Sequence, residues 1–175
     1  MDREKFFSAI RASMHGGRLS EGQVEGYAAI LDAAGEFAVT DPRQLAYILA
    51  TARGEVGTAL KPVREIGKGK GKPYGVVDPV TGHAYYGRGF VQITWARNYR
   101  VLGKRIGVDL YAKPDLALDP KIAAKIIVIG MAEGLFTGKG LSSFINAKVT
   151  DYVGARRIVN GKDRAVEFAK YAEKY

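Results

Sequence analysis

The stretch Asp119-Pro120 followed by Ile122, Ala123, Ile126, Ile127, Ile129 and Met131 constrains this chain most. Aspartate before proline marks a helix start, because the carboxylate accepts from the first free N–H groups and proline occupies the one position that needs no donor. The apolar residues that follow are so dense that this helix is predicted to be the most buried of the fold. At 175 residues the chain is long enough to bury a core without staples, and one domain suffices.

Helical spacing also fills the first third. Phe6, Phe7, Ile10 and Met14 share a face over residues 4 to 14, ended by Gly16-Gly17. Ser20 and Gln23 have the spacing of a capping box, and the helix they open runs through Tyr27, Ile30 and Leu31 to about Gly35. A third helix begins at Asp41-Pro42, another follows Thr94, and Asp151 and Asp163 are expected to cap the last two.

Between Gly57 and Gly89 the pattern changes. Gly67, Gly69, Gly71 and Gly75 alternate with Lys68, Lys70 and Lys72, and Asp78-Pro-Val-Thr-Gly82 has turn composition. A mobile basic loop and a short hairpin are expected here. The predicted architecture is mainly α: residues 1–175 as a single domain, with a helical core and a small lobe around 57–89.

Composition excludes several classes. The absence of cysteine rules out disulfide and thiolate chemistry, and His15 and His83 have no ligand-spaced partners, so neither metal nor cofactor is expected. The first residues mix acidic and basic side chains, and no apolar run approaches ~18 residues, so neither an export signal nor stable membrane insertion is expected. A formal net charge of +9 favours encounter with polyanions: nucleic acid, anionic cell wall or a membrane surface. Nucleic acid lacks support, since no helix-turn-helix or RNP-type signature is present.

Chemistry enters at Glu55. Leu45, Ile48, Leu49, Ala52 and Val56 form one apolar stripe, and Glu55 shares it. Desolvation there would raise the carboxyl pKa, and the last turn of a helix pushes the same way, leaving a group able to donate a proton. Alternatively Glu55 edges the stripe and reaches solvent, or pairs with Arg53 or Arg64. A second carboxylate, Glu65, lies just beyond the point where Pro62 stops the helix, and glycosidases need two.

Ala52-Arg-Gly-Glu55-Val-Gly with Pro62-Val-Arg-Glu65 resembles the catalytic segment of glycoside hydrolase 19 chitinases and related phage endolysins. Tyr85-Tyr-Gly-Arg-Gly-Phe-Val-Gln-Ile-Thr-Trp95 with Asn98-Tyr99 is similar to that family's long signature. Downstream, Pro114-Asp-Leu-Ala-Leu-Asp-Pro120, Gly134-Leu-Phe-Thr-Gly138 and Ala155-Arg-Arg-Ile-Val-Asn-Gly161 resemble the endolysin branch in the same order. The resemblance implies a lysozyme-like helical fold with a small β-hairpin and a central substrate cleft.

It also implies roles. Glu55 matches the general acid, Glu65 the carboxylate that activates water in an inverting reaction, and Thr94 the hydroxyl that holds this water. Two such carboxyls stand about 6.5 to 9.5 Å apart in inverting enzymes. Gln92 and Asn98 match groups that bind the sugar's acetamido arm, Asn160 a substrate-binding asparagine on the far wall, and Tyr86 and Arg88 are placed in the cleft. Plainer roles stand beside these: Thr94 as a helix N-cap, Tyr85, Tyr86, Phe90 and Trp95 as core aromatics, and Asn160-Gly161 as a helix-terminating pair.

One departure stands out. Many relatives carry a histidine directly before the catalytic glutamate, whereas this chain has Gly54, preceded by an Arg53 expected to point away from Glu55. The endolysin resemblance implies hydrolysis between N-acetylmuramic acid and N-acetylglucosamine in peptidoglycan, with chitin as the alternative substrate and a non-catalytic wall-binding protein as the alternative of another class. Implied too are a monomer, accumulation in a host bacterial cytoplasm, action on the cell wall after holin-dependent release, and attraction of the Lys-Gly loop to anionic envelope polymers.

Overall fold

The computed structural model describes residues 2–175 and is mostly helical. Six α-helices follow in order: α1 (Arg3–Met14), α2 (Glu21–Glu36), α3 (Pro42–Val56), α4 (Ala96–Ile106), α5 (Pro120–Glu133) and α6 (Ala165–Ala172). Two short strands, β1 (Val63–Arg64) and β2 (Arg88–Gly89), pair antiparallel with Val63 opposite Gly89. Short 3-10 segments, including Pro73–Gly75, Pro114–Leu118 and Gly154–Ile158, link these elements.

Local chemistry fixes most helix starts. Ser20 and Gln23 complete a reciprocal capping box for α2, and the carboxylates of Asp41 and Asp119 accept from the first free N–H groups of α3 and α5. Helix α5 is buried around most of its circumference: Ala123, Ile126, Ile127, Ile129 and Met131 are all inaccessible, although Ile122 is half-exposed. Each fully buried isoleucine contributes about 2 kcal/mol of apolar transfer, so this helix is the post on which the others lean. Its broadest contact is with α2, while α3 lies mainly against α6.

The C-terminal third departs from the predicted caps. Asp151 accepts from the Gly154 N–H at 2.7 Å, but the segment it opens is a 3-10 turn rather than an α-helix. Asp163 caps nothing. Helix α6 starts one residue beyond Arg164, which takes a left-handed conformation (φ 53°) with no side-chain cap. The reason is tertiary: Arg164 reaches back to donate to the Gly54 carbonyl at 3.1 Å while gripping Glu167 with two further bonds. The orphan carbonyl at the end of α3 is thereby satisfied by a cation.

The segment between α3 and α4 is wound rather than open. The Gly82 N–H donates to the Asp78 carbonyl, and successive tight turns join residues 65 to 75. The predicted hairpin exists as the β1–β2 pair that closes the base of this lobe.

Candidate active site

Glu55 lies in the last turn of α3 with its side chain 20% exposed. The stripe beneath it is as expected, with Ile48, Leu49 and Ala52 fully buried. The expectation of an unpaired carboxyl among hydrophobic neighbours is corrected, however. Arg156 Nη1 donates to Glu55 Oε1 at 2.7 Å, and Arg156 is only 3% exposed. Its Nε donates to the Asp163 carbonyl, and its guanidinium lies 4.1 Å over the Phe168 ring. Glu55 Oε1 thus receives a hydrogen bond from a cation that is itself held by the Asp163 carbonyl and the Phe168 ring.

The two arginines considered as partners are engaged elsewhere. Arg64 pairs with Asp115 at 2.8 Å, and Arg53 points to the Tyr171 ring, 5.3 Å from its centroid. Gly54 has a steric explanation: a β-carbon there would lie 2.4 Å from the Phe168 ring. The ring fills the space that a side chain preceding Glu55 would need, so the histidine of relatives has no room here.

Glu65 follows β1 and is fixed at both oxygens. The Tyr74 hydroxyl donates to Oε1 at 2.9 Å and the Gly87 N–H to Oε2 at 2.9 Å, while the Glu65 N–H bonds the Gly87 carbonyl at 2.8 Å. A β-carbon on Gly87 would lie 2.8 Å from Gln92 Oε1 and 3.3 Å from Glu65 Cβ, so a glycine is what lets these two side chains close on the backbone. The bond to Glu65, then partial desolvation and the carboxylate's charge, hold the Tyr74 phenol above its ordinary pKa and keep it protonated as a donor.

Gln92, Thr94 and Asn98 come together with Phe136 and Val159 around a recess of about 190 Å³. Two of its lining residues touch partners of the carboxylates. Gln92 abuts Gly87, which bonds Glu65, and donates to the Val63 and Gly89 carbonyls. The Val159 N–H, with that of Asn160, bonds the carbonyl of Arg156, the partner of Glu55. Asn160 is exposed, and its side-chain oxygen accepts from the Gly161 N–H.

Thr94 is not an N-cap. Helix α4 is preceded by Trp95, which makes no side-chain cap, and the Thr94 carbonyl accepts from the Asn98 amide at 2.8 Å. Trp95 does not join Tyr85 and Phe90 in the core. It is 49% exposed, holds a backbone φ of 72°, rare for a bulky residue, and meets Tyr74 edge to face at 5.7 Å.

Tyr86 and Arg88 are not brought to the recess. Arg88 is buried with its guanidinium 3.6 Å above the Tyr86 ring, and it donates to Asp115, the Ala84 and Tyr86 carbonyls and the Tyr99 hydroxyl. Both residues brace the loop that carries Gly87. Among the described residues no cluster of histidine, aspartate and glutamate suits a metal ion.

Sequence reasoning missed Arg156 and Tyr74. A signal for the first existed: Arg156 and Arg157 are adjacent between Ala155 and Ile158-Val159, and a cation that such a segment carries inward needs a buried anion. Tyr74 offered none, standing between a proline and a glycine with no periodicity around it.

With this geometry established, comparison with known proteins is informative. The family model described as class I chitinase, glycoside hydrolase 19, matches residues 69–133. The matched segment runs from the turn-rich lobe through α4 and α5 and is what this chain shares with the glycoside hydrolase 19 family. Endochitinase A2 of Pisum sativum is 54% identical over 46 residues, which is 26% of this chain and 14% of the pea protein. An endochitinase of Arabidopsis thaliana is 40% identical over 83 residues, 46% of this chain and 29% of that protein. The matched stretches thus span less than a third of these relatives.

The fold likeness extends further. Chitinase C of Streptomyces griseus HUT6037 superposes with a TM-score of 0.61 at 23% identity, covering 95% of this chain and 74% of the other. A bacterial family 19 chitinase gives a TM-score of 0.58 at 20% identity, covering 98% of this chain and 93% of its own. The lysozyme-like helical fold of the family 19 enzymes is therefore present along nearly the whole chain.

Proposed function

We propose that this chain is a phage endolysin of the glycoside hydrolase 19 type that hydrolyses the β-1,4 bond between N-acetylmuramic acid and N-acetylglucosamine in peptidoglycan. One observation carries the hydrolytic part: two carboxylates are each immobilised by hydrogen bonds, and partners of both touch residues that line one polar recess. Glu55 gives its proton to the glycosidic oxygen as the C1–O bond breaks. Arg156 then stabilises the carboxylate that remains.

Glu65 takes a proton from a water that forms the new bond to C1 on the opposite face, and the configuration at C1 inverts. Thr94 positions this water. Gln92 and Asn98 bind the acetamido arm, Asn160 contributes from the far wall, and the half-exposed Trp95 indole offers a face on which a sugar ring can pack.

Support for peptidoglycan over chitin comes from the endolysin-like order of the segments at 114–120, 134–138 and 155–161. Chitin is the second reading, favoured by the names of the relatives. Turbidity of permeabilised Gram-negative cells tests the proposal. Wild type should clear them, and Glu55→Gln should lose about 10³-fold in rate while still sedimenting with the walls. Mass spectrometry of the digest should show reducing N-acetylmuramic acid ends; intact glycan strands, with chitin oligomers cleaved instead, would transfer the protein to the second reading.

A further inference from the structure

The lobe between residues 65 and 83 carries a surface that hydrolysis does not use. Of the five most exposed large apolar side chains among the described residues, four fall here: Ile66 at 99%, Val80 at 82%, Val76 and Val77. Lys68, Lys70 and Lys72 are interleaved with them, all exposed and none in an ion pair among the described residues. The lobe's two acids do not neutralise them outwardly. Glu65 accepts from Tyr74 and Gly87, and Asp78 from Tyr111, Val80 and Thr81.

The backbone builds this surface. The N–H groups of Lys68, Lys70 and Lys72 bond the carbonyls of Glu65, Gly67 and Gly69, three successive tight turns made possible by positive φ at Gly67 and Gly69. The backbones of Gly69 and Gly75 touch, since a β-carbon on Gly75 would lie 1.9 Å from the Gly69 carbonyl oxygen. Gly69 thus packs inward against Gly75, and the lysines are left outside. A shallow depression of about 330 Å³ lies among Gly69, Gly71, Lys72, Pro73, Gly75 and Val76.

Cations alone would suit any polyanion. Branched apolar side chains standing free beside them suit a phase that offers phosphates and hydrocarbon together. We propose that this lobe docks the protein on an anionic lipid surface, with Lys68, Lys70 and Lys72 at headgroup phosphates and Ile66, Val76 and Val80 entering the interface. No helix among the described residues is long and apolar enough to cross a membrane, so the docking is peripheral. It is independent of hydrolysis: Glu55→Gln should bind as wild type does.

Co-sedimentation of the full chain with vesicles of phosphatidylglycerol and phosphatidylcholine provides the test. Binding should rise steeply with the phosphatidylglycerol fraction and fall with salt. Replacing all three lysines with glutamine should weaken it about a hundredfold, roughly fivefold per charge. Ile66→Ser with Val80→Ser should weaken vesicle binding about tenfold yet leave binding to soluble polyphosphate unchanged; all five substituted sites are exposed, and thermal melts confirm folding. Equal binding to neutral vesicles, no binding to anionic ones, or full vesicle affinity in the serine variant would overturn the proposal, the last by making the lobe a site for soluble polyanions only.

Discussion

The two carboxylates are held by opposite means. Glu55 rides on a helix whose inner face is core, and its partner Arg156 comes from 101 residues away in sequence. Glu65 stands at the end of a two-residue strand, and its partners Tyr74 and Gly87 come from the same turn-rich lobe. One acid is therefore anchored by tertiary packing and the other by local winding, so damage to each should show in a different observable. Faults around Glu55 should appear in stability as well as rate, and faults around Glu65 mainly in rate.

The sharpest probe on the lobe side is Glu65→Gln, which removes the proposed base and should lower the proposed hydrolysis of peptidoglycan by about 10²-fold to 10³-fold with an unchanged melting temperature. A comparable loss of stability would erase the contrast. Next comes Arg156→Met. Removing one partner of a pair exposed by only 3% and 20% should cost about 3 kcal/mol in denaturant unfolding. Combining it with Glu55→Gln should recover part of that cost, since no charge is then left without its partner; simple additivity would show the pair to be uncoupled.

Smaller effects refine the picture. Tyr74→Phe deletes one of the two side-chain hydrogen bonds to Glu65 and should reduce kcat about tenfold, equivalent to about 1.4 kcal/mol, without affecting unfolding. Gly54→Ala places a methyl group against the Phe168 ring and should destabilise by about 1 kcal/mol despite the better helix propensity of alanine. A gain in stability would mean that the ring yields easily.

The legibility of the fold follows the range of the interactions. The starts of α2, α3 and α5 could be predicted because the capping side chain and the N–H it serves are neighbours in sequence. The start of α6 could not, because Arg164 answers to a carbonyl 110 residues away rather than to its own helix. The same rule governs the site. Glu55 and Glu65 were visible from their type, position and resemblance. Arg88 was placed in the cleft on the strength of the signature, yet the structure spends it on bracing Tyr86, Tyr99 and Asp115. Trp95 rather than Thr94 precedes α4, because the left-handed turn at Trp95 shifts the helix start by one residue and carries the indole outward.

The contact between Gly54 and Phe168 has a consequence for biogenesis. The guanidinium that grips Glu55, the aromatic ring that backs it and the cation that closes α3 all belong to residues 156–168. During synthesis the helix bearing the acid emerges long before the parts that orient it. Until residues 156–168 have emerged, the Glu55 carboxylate has neither its cation nor the ring behind that cation, so the two halves of this site can be joined only after most of the chain has been made.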